Sequence, residues 1–68
     1  MAITVTVKEV MEKGTVPVKE AARMSGVGLT VMYDMLRTNE MPFVKKRSGK
    51  SVPVAAIEKF LKANLVQG

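Results

Sequence analysis

Lys45, Lys46, Arg47 and Lys50 place four cationic side chains within six positions, around a Ser48-Gly49 turn. Ammonium and guanidinium groups gathered in this way neutralise an anion, donating charge-assisted hydrogen bonds to phosphate or carboxylate oxygens. Apolar segments flank the cluster, Phe43-Val44 before it and Val52-Pro53 after it. The pattern predicts a small β-hairpin with a cationic tip, from Phe43 to Arg47 and from Lys50 to Val52. The chain's net charge of +5 is uneven: residues 1–36 sum to zero, residues 37–50 carry +4 and residues 51–68 add +1. Such a concentration favours a polyanion. The plain alternative is a solvated loop whose charges keep an exposed hairpin from aggregating.

Other chemistries have little to work with. The chain has no cysteine, which excludes disulfides and thiolate metal sites, and no histidine, the commonest general base and metal ligand. Its carboxylates, Glu9, Glu12, Glu20, Asp34, Glu40 and Glu58, include no pair flanking an evident cleft. The expectation is no enzyme, no cofactor, no metal and no small-molecule ligand. With two Phe, one Tyr and no Trp, the chain also lacks the exposed aromatic series of a single-strand binder. No apolar run approaches the ~20 residues that span a bilayer. Met1 to Val7 lacks the basic start and small-residue cleavage site of a signal peptide. A soluble cytoplasmic protein with no membrane partner is expected. At 68 residues it is one small domain, close to the lower limit for a core without staples.

The elements that must position the cluster follow from periodicity. Ile3, Val5 and Val7 alternate with Thr4 and Thr6, suggesting a short extended segment, and Thr6 with Glu9 forms a capping box for a helix over Val7–Lys13. Thr15-Val16-Pro17 is a break before a second helix. Val18, Ala21, Ala22 and Ser25 lie at i, i+3, i+4 and i+7, a narrow inward stripe of small residues. Gly26-Val27-Gly28 interrupts the pattern, with Val27 tucked inward. A third helix from Leu29 to Thr38 buries Met32, Met35 and Leu36, and Met41-Pro42 forbids its continuation. After the hairpin, Pro53 begins a last helix with Ile57, Phe60 and Leu61 inward and Glu58, Lys59 and Lys62 on the wet side. The six methionines are mostly gap-fillers in a core with few aromatics, and the tail from Leu65 to Gly68 is expected to fray.

The stretch Val16–Leu61, about two-thirds of the chain, resembles the winged helix-turn-helix module of the MerR-type superfamily, and within it the small excisionases and AlpA-like regulators of phages and mobile elements. The residues that carry the resemblance stand in order. They are Val18-Lys19-Glu20-Ala21-Ala22, Gly26-Val27, Tyr33, Thr38-Asn39-Glu40-Met41-Pro42, Lys45-Lys46-Arg47 with Lys50, Pro53, and Ile57 to Leu61. The chain departs from the pattern at Pro17, at Gly28-Leu29 and at Asp34 after the tyrosine. The resemblance implies a mainly α fold with a small β-hairpin, a core module over residues 16–64 and an N-terminal extension over 1–15. It implies a double-stranded DNA partner, the second helix of the motif entering the major groove and the hairpin reaching a neighbouring minor groove or its phosphates. An excisionase would bend DNA, self-associate on it and assist an integrase. A relative of the AlpA type would regulate transcription instead. A protein-binding antirepressor module using Leu29, Val31 and Ile3-Val5-Val7 is a third possibility.

The expected DNA-binding residues are therefore Thr30, Tyr33, Arg37, Lys45, Lys46, Arg47 and Lys50. Thr30 is either a groove contact or a capping hydroxyl, since Gly28 offers none. Tyr33 either bonds a phosphate or packs against the hairpin with its hydroxyl in water. Leu29 and Val31 either touch thymine methyls or form a protein-binding surface. The segment before residue 16 is left with three roles: adding a strand to the hairpin, docking as a helix, or meeting a neighbouring copy.

Overall fold

Thr15-Val16-Pro17-Val18 and Ser51-Val52-Pro53-Val54 are nearly the same four residues twice, and each runs a strand straight into a helix. In both, proline ends the strand and stands at the N-cap of the helix, with φ,ψ of −60°,156° at Pro17 and −62°,136° at Pro53. Its locked φ suits the extended strand end, and the N-cap position needs no N–H from it. The computed structural model describes residues 3–66. In chain order its elements are α1 (Val7–Lys13), β1 (Thr15–Pro17), α2 (Val18–Ser25), α3 (Leu29–Arg37), β2 (Val44–Lys46), β3 (Gly49–Pro53) and α4 (Val54–Asn64).

The strands form one antiparallel sheet in the order β1-β3-β2. Val16 lies opposite Val52, with Thr15 opposite Pro53 and Pro17 opposite Ser51, so the two proline segments pair symmetrically about the valines. The expected four helices and hairpin are present, and a third strand joins the hairpin to make a three-stranded sheet in a mixed α and β fold. The added strand is Thr15–Pro17, not the alternating N-terminal residues. Three residues are too few to show a period, and they become a strand only because the open edge of β3 supplies their partners. Ile3 and Val5 lie instead against the core without strand pairing, and the Ile3 N–H donates to the Glu40 carbonyl at 3.3 Å.

The core gathers one stripe from each of the three longer helices. Val18, Ala21, Ala22 and Ser25 of α2 meet Met32, Met35 and Leu36 of α3 and Ala55, Ala56 and Ile57 of α4, with Met41 and Val52 closing it. The small residues of α2 allow close helix approach. Each large side chain so buried contributes about 1.5–3 kcal/mol relative to exposure. Gly26 ends α2 in the left-handed region, φ 73°, and its N–H returns to the Ala22 and Arg23 carbonyls. Val27, half-buried, packs on the core as expected.

Other expectations change in α4 and at the ends of the chain. Ala55 and Ala56 fill the inward face with Ile57, whereas Leu61 is 45% exposed and Phe60 is partly buried. The helix is rotated so that Ala56 and Ile57, not Leu61, join the core cluster. Of the methionines, Met32, Met35 and Met41 fill the core, but Met11 and Met24 are exposed. Met1 and the tail residues Gln67 and Gly68 lie outside the described residues.

The N-terminal helix is held differently. α1 buries none of its residues. Thr6 and Glu9 form the expected capping box, each side chain accepting from the other's backbone N–H at 3.1 and 2.9 Å. Lys59, expected on the wet side, turns toward this helix: its Nζ donates to the Thr4 carbonyl at 2.8 Å and lies 3.0 Å from a Glu9 oxygen. Lys13 pairs with Glu58 at 3.0 Å. Charge, rather than burial of its own side chains, fastens α1 to α4.

Candidate functional site

The hairpin closes through an Arg47-Ser48 turn, and Gly49 follows at φ 126°, where a side chain would be strained. Its register sets Val44 opposite Ser51, Lys45 opposite Lys50 and Lys46 opposite Gly49. Side chains alternate between the faces of a sheet. Lys45 and Lys50 therefore share the face that carries Val52 and Val16, while Lys46 projects from the other face with Thr15. Consistent with this, the Lys46 Nζ donates to the Thr15 hydroxyl at 2.9 Å. The Lys50 Nζ rests 4.8 Å from the centroid of the Phe43 ring. Phe43 is half-buried against the core, so it both anchors the strand and seats a cation. The four basic residues are thus divided: Lys45 and Lys50 together, Lys46 behind them, and Arg47 at the tip.

The residues expected from α3 form a second group. Thr30, Tyr33 and Arg37 fall at i, i+3 and i+7, and Asp34 completes their stripe at i+4; all four are exposed. The stripe lies away from the buried Met32, Met35 and Leu36 because both sets follow the 3.6-residue period. Gly28 stands at the N-cap with no side-chain hydrogen bond, so the Thr30 hydroxyl does not cap this helix. Tyr33 is half exposed, at 51%. Arg37 Nη2 donates to Asp34 Oδ1 at 2.6 Å, and that hydrogen bond raises the guanidinium pKa. Leu29 and Val31 are also solvent-facing. Among the described residues, no hydrogen bond or ion pair joins the α3 stripe to the hairpin cations.

Ion pairing sharpens the charge distribution. Lys13 pairs with Glu58, Arg23 with Glu20, Arg37 with Asp34 and Lys59 with Glu9. Among the described residues, Lys45, Lys46, Arg47 and Lys50 have no carboxylate partner. Four of the seven helical cations are thus paired, Lys8, Lys19 and Lys62 are not, and among the described residues none of the hairpin's four is. The resulting field draws a polyanion to the hairpin rather than to the helical body.

Two features of this arrangement escape the sequence. The seat of Lys50 on Phe43 and the pairing of Arg37 with Asp34 follow from register and rotamer. An i, i+3 acid–base spacing on a helix is the only local signal of the second. Among the described residues no cluster of His, Cys, Asp and Glu is placed to hold a metal ion, and no helix is long and apolar enough to cross a membrane. Shallow cavities of about 300 and 390 Å³ lie elsewhere, one lined by Ile3, Met41 and Phe43, the other by Ile3, Met35 and Phe60. No family model, curated protein or solved structure matches the chain.

Proposed function

We propose that this chain is a sequence-specific double-stranded DNA-binding protein of a phage or mobile element, built as a winged helix-turn-helix. In this reading α2, the Gly26-Val27-Gly28 turn and α3 are the helix-turn-helix, and β2 with β3 is the wing. The observation that carries the proposal is the hairpin's set of four clustered cations, which among the described residues have no carboxylate partner, whereas four of the seven helical cations are paired. The exposed Thr30-Tyr33-Arg37 stripe gives α3 the polar groups that a groove-entering helix presents to bases and phosphates.

A module this small binds weakly as a single copy. Its function is accordingly architectural: several copies bind adjacent sites, bend the duplex and assist an integrase in excision. A transcription regulator of the AlpA type would share the same contacts, and loss of element excision or of promoter control on deletion separates the two. The antirepressor reading loses part of its surface, because Ile3 and Val5 pack against the core.

Duplex binding measured across salt concentrations tests the proposal. Neutralisation of about four phosphates gives a log–log salt slope near −3.6. Replacing Lys45, Lys46 and Arg47 together by alanine brings that slope close to −1. A slope near zero for the wild-type chain removes DNA as the partner, and unchanged activity of the triple variant points to a protein ligand instead.

A further inference from the structure

Lys45 and Lys50 are directly opposed across the hairpin. Side chains so placed have Cβ atoms about 4.5–5.5 Å apart, and like charges there destabilise a sheet. The fold holds this pair in place: Phe43 seats the Lys50 ammonium at 4.8 Å, and Phe43 is itself packed against the core. Among the described residues no carboxylate pairs with either lysine. Lys46 differs, since it faces Gly49 and its Nζ is bonded to Thr15.

We propose that Lys45 and Lys50 form one oxyanion-bridging site, in which a single phosphate group accepts a hydrogen bond from each ammonium through two of its oxygens. A compact ammonium with three donors suits this task. The bound anion turns the cross-strand repulsion into two attractions, so ligand binding and hairpin stability are coupled. The source assigned to the phosphate, a phosphodiester of duplex DNA, rests on the function proposed above; the site itself requires only the oxyanion. Arg47 at the tip adds to the field without belonging to the bridge.

The test combines stability with binding in the full chain. Lys45→Thr removes one member of the pair and keeps a good strand former. At low ionic strength this variant is expected to unfold at a higher temperature than wild type, with the gap closing as chloride is added. Inorganic phosphate is expected to raise the wild-type midpoint more than chloride at equal ionic strength, and to lose that advantage in Lys45→Thr. Lys46→Thr removes the same charge one position away and is expected to show neither effect. Duplex affinity of Lys45→Thr at 50 mM salt falls roughly tenfold, the loss of about one counterion-releasing contact.

The idea is overturned if Lys45→Thr is no more stable than wild type at low salt. It is equally overturned if phosphate and chloride act alike, or if Lys46→Thr reproduces every effect. A phosphate effect confined to the Lys45–Lys50 pair, in a chain that binds no duplex, supports the oxyanion site while removing the DNA reading. Duplex binding with unchanged affinity in Lys45→Thr removes the bridge while leaving that reading standing.

Discussion

Arg37 is tethered to Asp34, Nη2 to Oδ1, across one turn of the exposed face of α3. The tether occupies one edge of the guanidinium and leaves its other donors facing outward. It also cancels the only positive charge on the Thr30-Tyr33-Arg37 stripe. Asp34→Ala is expected to raise affinity for random-sequence duplex several-fold at low salt, because a repelling carboxylate is gone. The same change weakens discrimination among sequences, since a free guanidinium reaches many acceptors. Selection of bound duplexes from a random pool, for wild type and variant, measures both. The unfolding midpoint moves little, as exposed ion pairs contribute little to stability. A variant with wild-type sequence preference would remove the orienting role from Asp34.

Glu9 links α1 to α4 and carries a pH dependence of definite sign. The Thr6 N–H and the Lys59 ammonium both bond its carboxylate, holding its pKa below the ordinary 4.5. A depressed pKa means that the stabilisation is complete above the unfolded value and is lost as pH falls through the folded one. Hydrogen exchange at the Thr6 amide, corrected for its intrinsic rate, is therefore expected to lose protection on acidification below pH 4.5. Glu9→Gln abolishes that step and leaves the Thr6 amide less protected above the transition, with the two chains converging at acidic pH. An acid transition that persists unchanged in Glu9→Gln would show that Glu9 is not its source.

Ser25 is buried at the end of α2, 7% exposed, and its hydroxyl has no hydrogen-bond partner. A buried hydroxyl without a partner costs about 1–3 kcal/mol, and alanine is also the better helix former. Ser25→Ala is expected to stabilise the chain by roughly 1 kcal/mol in urea unfolding, the removed oxygen leaving only a small void. A loss of stability would show that the hydroxyl is satisfied in solution.

Local signals determined the helices. The stripe of Val18, Ala21, Ala22 and Ser25, the break at Gly26-Val27-Gly28 and the stripe of Met32, Met35 and Leu36 state the length and inward face of α2 and α3. Thr6 and Glu9 likewise state where α1 begins. In each case the information lies within a few residues, because helix periodicity and capping are local interactions. The candidate residues were legible for the same reason: a run of basic side chains around a turn needs no partner to be noticed.

Tertiary structure decided what depends on residues distant in sequence. Thr15-Val16-Pro17 became a strand because Val16 meets Val52, although the likeness of the two proline segments is visible in the chain. Leu61 was left in solvent because Ala56 and Ile57 supply the face of α4 that meets the core, a choice made by the partner surface rather than by spacing. Strand register turned one cationic cluster into an opposed pair, a tethered lysine and a tip arginine, since a shift of one residue exchanges the faces of a strand. The sequence by itself thus determined which side chains bear charge and which helices form. The register of the β2–β3 hairpin decided which of those charges confront one another, and the long-range pairing of β1 with β3 decided where Lys46 finds its partner.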